Sequence, residues 1–251
     1  MTGRLTILGL GPFGPDQTTP EAAEALSEAD EVFGYATYLA RVAPRAGQKL
    51  HASDNREEID RARAALAAAS QGHRVAVVSS GDPGVFAMAS AVFEAIDTGE
   101  PAWRTLDVVV LPGVTAMLAA AARFGAPFGH DFCAINLSDN LKPWSLVEQR
   151  LTAAAGAGFA IALYNPVSKA RPSQLTAAFR LLSKHLAPTT IVMFARAVGD
   201  QAHEHLQVST LGEAPDQQAD MRTIVLIGTA ATRSIERPSG RPFIYTLRHA
   251  L

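Results

Sequence analysis

The 251-residue chain has a single cysteine, Cys133. One thiol cannot close an internal disulfide, so a disulfide-stapled fold is excluded and a reducing, cytoplasmic setting is expected. Cys133 itself reads as a small buried apolar residue. Charged residues are scarce at 18%, and the net charge is only −2. With no basic excess to neutralise a phosphate backbone, a nucleic-acid partner is not expected. No apolar run approaches the roughly 20 residues that cross a bilayer. Met1–Leu10 is too short in its apolar part for a signal peptide and reads as a first strand, so no membrane partner is expected. No G-x-x-x-x-G-K-[ST] segment is present, which removes a P-loop nucleotide site. No Cys/His set has zinc spacing. His203 and His205 flank Glu204, but residues two apart share a face only in a strand, so no metal is expected there.

Apolar residues make up 48% of the chain, as in a folded globular protein. The length suits one large domain or two small ones. Leu5–Leu8 is a short apolar run closed by Gly9-Leu10-Gly11-Pro12, which predicts a buried strand entering a tight loop. Thr19-Pro20-Glu21 has the order of an N-cap, a first-turn proline and an early acid, predicting a helix to about Ser27. Strands are predicted at Glu31–Phe33, Val75–Val78 and Leu106–Leu111. Helices are predicted at Ile59–Ser70, Val85–Ile96 and Met117–Phe124. This strand–loop–helix alternation implies a parallel sheet covered by helices. Gly125–Gly129 reads as a linker. Beyond it come strands at Phe132–Leu137, Phe159–Leu163, Thr190–Phe194, Gln207–Thr210 and Thr223–Ile227. Helices are predicted at Trp144–Ala155 and Gln174–His185. The excess of strands predicts a mixed sheet. The fold class is therefore α/β, with domains at 1–126 and 127–251.

Three loops that follow first-half strands stand out: Gly9–Gly14, Ser80–Gly84 and Pro112–Ala116. Small residues there let backbone approach a ligand, and the strand-end edge of an open α/β sheet is where ligands bind. The first loop matches G-x-G-x-x-G by spacing, with Asp30 or Glu31 about twenty residues on, so an NAD-dependent oxidoreductase is one reading. Pro12, however, stands where that fingerprint opens its helix.

Val77–Phe86, containing Ser80-Gly81-Asp82-Pro83-Gly84, resembles the G-D-P loop of the tetrapyrrole methylase family. Gly9-Leu10-Gly11-Pro12 with Pro15 and Thr19 resembles that family's opening motif, and Pro112-Gly113-Val114-Thr115-Ala116 a third element. Gly34-Tyr35-x-x-Tyr38-Leu39, Gly129–Phe132, Leu137–Asp139 and Leu163–Pro166 with Ser168-Lys169 are similar to the branch that methylates C17 of a corrin precursor. Phe13 departs from the pattern, standing where the family has glycine.

The resemblance implies two α/β domains, a homodimer, and S-adenosylmethionine bound between the domains and released as S-adenosylhomocysteine. It implies C-methylation at C17 of precorrin-3B, coupled to ring contraction, giving precorrin-4 on the route to cobalamin. Donor contacts carried over are Pro12, Ser80, Gly81, Asp82, Val85, Thr115, Ala116, Tyr164, Asn165, Thr223 and Ile224. Substrate contacts would come from Phe13 and Gly14 and, for the acceptor's carboxylates, Lys142, Lys169, Arg171 and Arg196. Ring contraction calls for a proton carrier, and the branch motifs offer His130, Asp131 and Asp139. Alternatives are methylation of cobalt-factor III, another precorrin methylase, an RNA- or diphthine-directed methylase, a non-catalytic binder of the donor, and the NAD oxidoreductase.

Overall fold

A computed structural model of the chain describes residues 3–54 and 57–249. In order, its elements are β1 (Arg4–Gly9), α1 (Pro20–Glu28), β2 (Glu31–Tyr35), α2 (Ala36–Leu39), β3 (Lys49–Ser53), α3 (Glu58–Ser70), β4 (Arg74–Ser79), α4 (Met88–Thr98) and β5 (Asp107–Leu111). Then follow α5 (Ala116–Phe124), β6 (Gly125–Ala126), β7 (Phe132–Asn136), α6 (Trp144–Gly156), β8 (Ala160–Tyr164), α7 (Gln174–Leu182), β9 (Ile191–Arg196), β10 (His205–Thr210), β11 (Thr223–Ile227), β12 (Thr232–Ile235) and β13 (Phe243–Thr246). The chain divides into two compact units, Met1–Ala116 and Met117–Leu251.

In the first unit, the order β3-β2-β4-β1-β5 is parallel throughout. Strands buried on both faces need apolar side chains on both, and Leu5, Ile7 and Leu8 of β1 are fully buried. Alternation along each strand divides the core. Leu5, Ile7, Val75 and Val77 pack with Ala62, Leu66 and Ala69 of α3 and Val92 of α4. Leu8, Val32, Ala76 and Val78 pack with Ala22 of α1 and Leu39 of α2. The expected cap of α1 is present: Thr19 Oγ1 accepts from Ala22 N at 3.2 Å, with Pro20 in the first turn.

The second unit holds a sheet of order β10-β9-β11-β8-β7, antiparallel except for β7–β8. Leu151 of α6 and Phe179 of α7 lie in one core cluster with Leu163, Phe194 and Val225 of this sheet. A smaller sheet, β12-β13-β6, completes the unit. Cys133 is half-buried and free, and burial pushes its thiol pKa up.

Four differences from the sequence reading have local causes. The edge strand β3 (Lys-Leu-His-Ala-Ser) is largely exposed and carries no apolar run. β12 and β13 are too short to show a period. Gly125-Ala126 is no linker, since it pairs with Ile244-Tyr245 of β13. Helix α4 starts at Met88 rather than Val85, because Phe86 takes a left-handed φ of 54°.

Candidate active site

Strands β4, β1 and β5 are neighbours, so the loops after Ser79, Gly9 and Leu111 leave one edge of the sheet side by side. A Cβ built on Gly9 would stand 2.3 Å from Gly81 O and 2.8 Å from Gly113 Cα. One built on Gly113 would stand 2.3 Å from the same carbonyl. Backbone therefore packs on backbone, one glycine from each loop, with no space for a methyl group. Gly11 N donates to Gly81 O at 3.2 Å and Gly81 N to Gly11 O at 2.8 Å. The Asp82 carboxylate joins the second loop to the third: Oδ1 accepts from Gly84 N at 2.8 Å and Oδ2 from Gly113 N at 3.0 Å.

Asp82, engaged by Gly84 and Gly113, does not cap α4. Ser79 serves there, its Oγ accepting from Met88 N at 3.3 Å. Ser80, Pro12, Val85 and Ala116 are half-buried along this edge, and Gly81 and Thr115 are buried. Phe13 is exposed, and a Cβ on Gly14 would meet open space, so both lie at the loop's outer rim. Sequence reasoning missed Arg41, whose guanidinium bonds both the first loop and Ser80. An isolated arginine beyond a short helix carries no motif to reveal it.

In the second unit, β8 and β11 run antiparallel with Val225 opposite Leu163. Tyr164 and Asn165 at the end of β8 and Thr223 and Ile224 at the start of β11 therefore share one sheet end. Tyr164 Oη accepts from Met117 N at 3.1 Å. Asn165, at a left-handed φ of 51°, donates through Nδ2 to Asn136 Oδ1 at 3.0 Å. The Thr223 hydroxyl is 2.9 Å from Asp220 Oδ1.

Lys142 and Asp139 follow β7 at this same end. Lys142 Nζ donates to Ser138 O at 2.8 Å, and Gln174 Nε2 to Asp139 Oδ2 at 3.2 Å. Burial lowers the Lys142 pKa, and the neighbouring Arg150 lowers it further. Arg171 Nε donates to Ser168 Oγ at 3.2 Å, while its Nη1 is buried without a partner among the described residues. Lys169 is exposed. Arg196 is engaged by Asp220 at 2.8 Å.

His130 and Asp131 are adjacent but precede β7, whereas Asp139 follows it. At ~3.3 Å per residue the strand separates them by roughly 20 Å. The structure therefore does not bring the three acid–base candidates together.

The oxidoreductase reading needs an acid near the first loop. Asp30 and Glu31 instead lie at the opposite end of the sheet, where β2 begins. Asp30 is paired with Arg74 at 2.9 Å, and Glu31 contacts His51 at 2.7 Å. His203 Nδ1 is 2.9 Å from Asp200 Oδ2. Among the described residues no group of three or more His, Cys, Asp or Glu is placed to hold a metal ion, and no helix is long and apolar enough to cross a membrane.

The first unit is thus an open parallel α/β sheet with three interlocked small-residue turns at its carboxyl edge, the edge at which sheets of this class bind ligands. The family profile of tetrapyrrole (corrin/porphyrin) methylases matches residues 4–215, and the chain belongs to that family. It is 55% identical to a precorrin-3B C(17)-methyltransferase of Sinorhizobium sp, over 99% of this chain and 97% of that one. It is 40% identical to a protein of Salmonella typhimurium named "Probable cobalt-factor III C(17)-methyltransferase", over 91% and 93% of the two chains. The crystal structure of the methyltransferase CobJ is 52% identical and superposes with a TM-score of 0.92, covering 98% of this chain and all of that one.

Proposed function

We propose that this chain methylates C17 of precorrin-3B with S-adenosylmethionine, couples the methylation to ring contraction, and so yields precorrin-4 for cobalamin synthesis. The observation that carries the reading is 55% identity, sustained over 99% of the chain, to a protein named for that C17 methylation. The donor supplies a methyl group already activated on a sulfonium. What the chain must add is placement, with the accepting carbon in line with that methyl. The interlocked turns fit the donor, because their rigid backbone supplies fixed polar groups at a sheet edge.

In this reading Pro12, Ser80, Gly81, Asp82, Val85, Thr115 and Ala116 form the donor site of the first unit. Tyr164, Asn165, Thr223 and Ile224 are the donor contacts proposed for the second. Phe13, Gly14, Lys142, Lys169, Arg171 and Arg196 are assigned to the acceptor. Lys142 and Arg171 suit its carboxylates, since both are cations carried on the chain that follows β7 and β8 at one sheet end. Asp139 is the acid–base group we favour, and His130 with Asp131 is the alternative pair. The enzyme works as a cytoplasmic homodimer.

A cobalt-containing macrocycle is the second reading, favoured by the relative from Salmonella. The test offers the purified protein S-adenosylmethionine with precorrin-3B or cobalt-factor III. The result expected is one added methyl and a contracted ring on precorrin-3B, read by mass and absorption spectra. Turnover of cobalt-factor III alone would shift the assignment to the second reading. Turnover of neither would remove both.

A further inference from the structure

Arg41 lies just past α2, in a turn closed by Arg41 N to Tyr38 O at 3.0 Å. Its Nη2 donates to Leu10 O at 2.8 Å and Gly11 O at 2.9 Å. Its Nη1 donates to Ser80 Oγ at 3.1 Å and reaches Pro12 O at 3.5 Å. Three successive carbonyls of the first loop and the hydroxyl of the second thus converge on one guanidinium. We propose that Arg41 is a positioning residue for the methyl donor: it sets the path of Leu10–Pro12 against Ser80, and the donor binds only that path. The inference rests on the assignment of these turns to the donor.

Two arguments support it. Carbonyl dipoles aimed at one point repel unless a cation sits there. Gly11, with φ 66° and no Cβ, has other conformations to relax into once the cation is gone. The arrangement is also costly for a mere tie between loops. The Nε of Arg41 is buried with no partner among the described residues, and burial lowers the pKa of the group. The Gly11–Gly81 pair already joins the two loops, so the guanidinium adds shape rather than attachment. Lysine cannot replace it, because an ammonium lacks the planar fork that meets several acceptors at once.

The test is calorimetric titration of S-adenosylhomocysteine into the full chain and into Arg41→Met and Arg41→Lys, with melting midpoints measured on the same samples. Both variants should bind about tenfold more weakly or worse while still folded, with Arg41→Lys the milder. In turnover, the donor KM should rise by the same factor while kcat at saturating donor stays within about threefold. Methylguanidinium should restore part of the affinity lost in Arg41→Ala. A folded variant that binds with unchanged affinity, whatever its melting midpoint, overturns the proposal. If Arg41→Met does not fold, Arg41→Lys and Ser80→Ala decide, and normal affinity in both overturns it. Failure of the unaltered chain to bind is a different result, which removes the donor-site assignment itself.

Discussion

Gly11 and Gly81 form a reciprocal backbone pair, each donating to the other's carbonyl and each at a left-handed φ, 66° and 68°. Any L side chain at either position bears a strain of about 1–2 kcal/mol. The surroundings differ. A Cβ on Gly11 would meet Gln17 O at 2.4 Å, whereas one on Gly81 finds its nearest atom at 3.7 Å. Gly81→Ala should therefore lose only the conformational term, and Gly11→Ala should lose that and suffer a backbone clash. Urea unfolding of the two variants should rank Gly11→Ala as the less stable. The reverse order would mean that the first loop yields more easily than its contacts imply.

Asp82 uses both carboxylate oxygens on backbone amides of two different loops. Asparagine offers one acceptor and turns an N–H toward the second amide. Asp82→Asn should cost about 1–3 kcal/mol, and Asp82→Ala at least as much. Both should weaken binding of S-adenosylhomocysteine. Denaturation midpoints and calorimetry check this together. Full stability in Asp82→Asn would show that the carboxylate is not needed to join the loops.

What could be read in the sequence was local. The Thr19 cap, the small-residue turns and the buried run of β1 each signal themselves within a few residues. The unread parts are long-range or lack a marker. Arg41 reaches Leu10 and Ser80 across 31 and 39 residues, and no spacing rule connects them. The start of α4 has no marker in the sequence, because Phe86 adopts a left-handed backbone that a bulky residue seldom signals. His130 and Asp139 lie close in number, yet an extended strand holds them apart.

Asp30 should shape the acid limb of the stability curve. Arg74 donates to it from its side chain and its backbone and, with Arg45 nearby, holds its carboxyl at about 2, against the ordinary 3.8. A depressed carboxylate pKa adds stability that is complete above the unfolded value and is lost as pH falls through the folded one. The contribution should therefore fade between pH 3.8 and about 2. Both partners are partly exposed, so the effect is small and screened by salt. Melting midpoints measured across that window should fall less steeply for Asp30→Asn than for the unaltered chain. Superimposable acid limbs would remove Asp30 as a contributor.

The acid–base assignment turns on which end of β7 serves the acceptor. At its start, His130 Nδ1 accepts from Asp131 N at 2.8 Å, so the neutral ring carries its proton on Nε2, and both side chains are exposed. At its far end, Asp139 is half-buried, held by Gln174, and close enough to raise the pKa of Lys142 against the stronger effect of burial. A carboxylate fixed by an amide beside a cation can receive a proton at a defined place, whereas an exposed imidazole is free to exchange with solvent. Asp139→Asn should lower kcat by about 10²- to 10⁴-fold. It should leave S-adenosylhomocysteine binding intact. Gln174→Leu, which frees the carboxylate without removing it, should give a smaller loss. His130→Ala should cost less than Asp139→Asn. If His130→Ala instead produces the larger fall, proton transfer belongs to the start of β7, and the polar group around Asp139 serves only to bind.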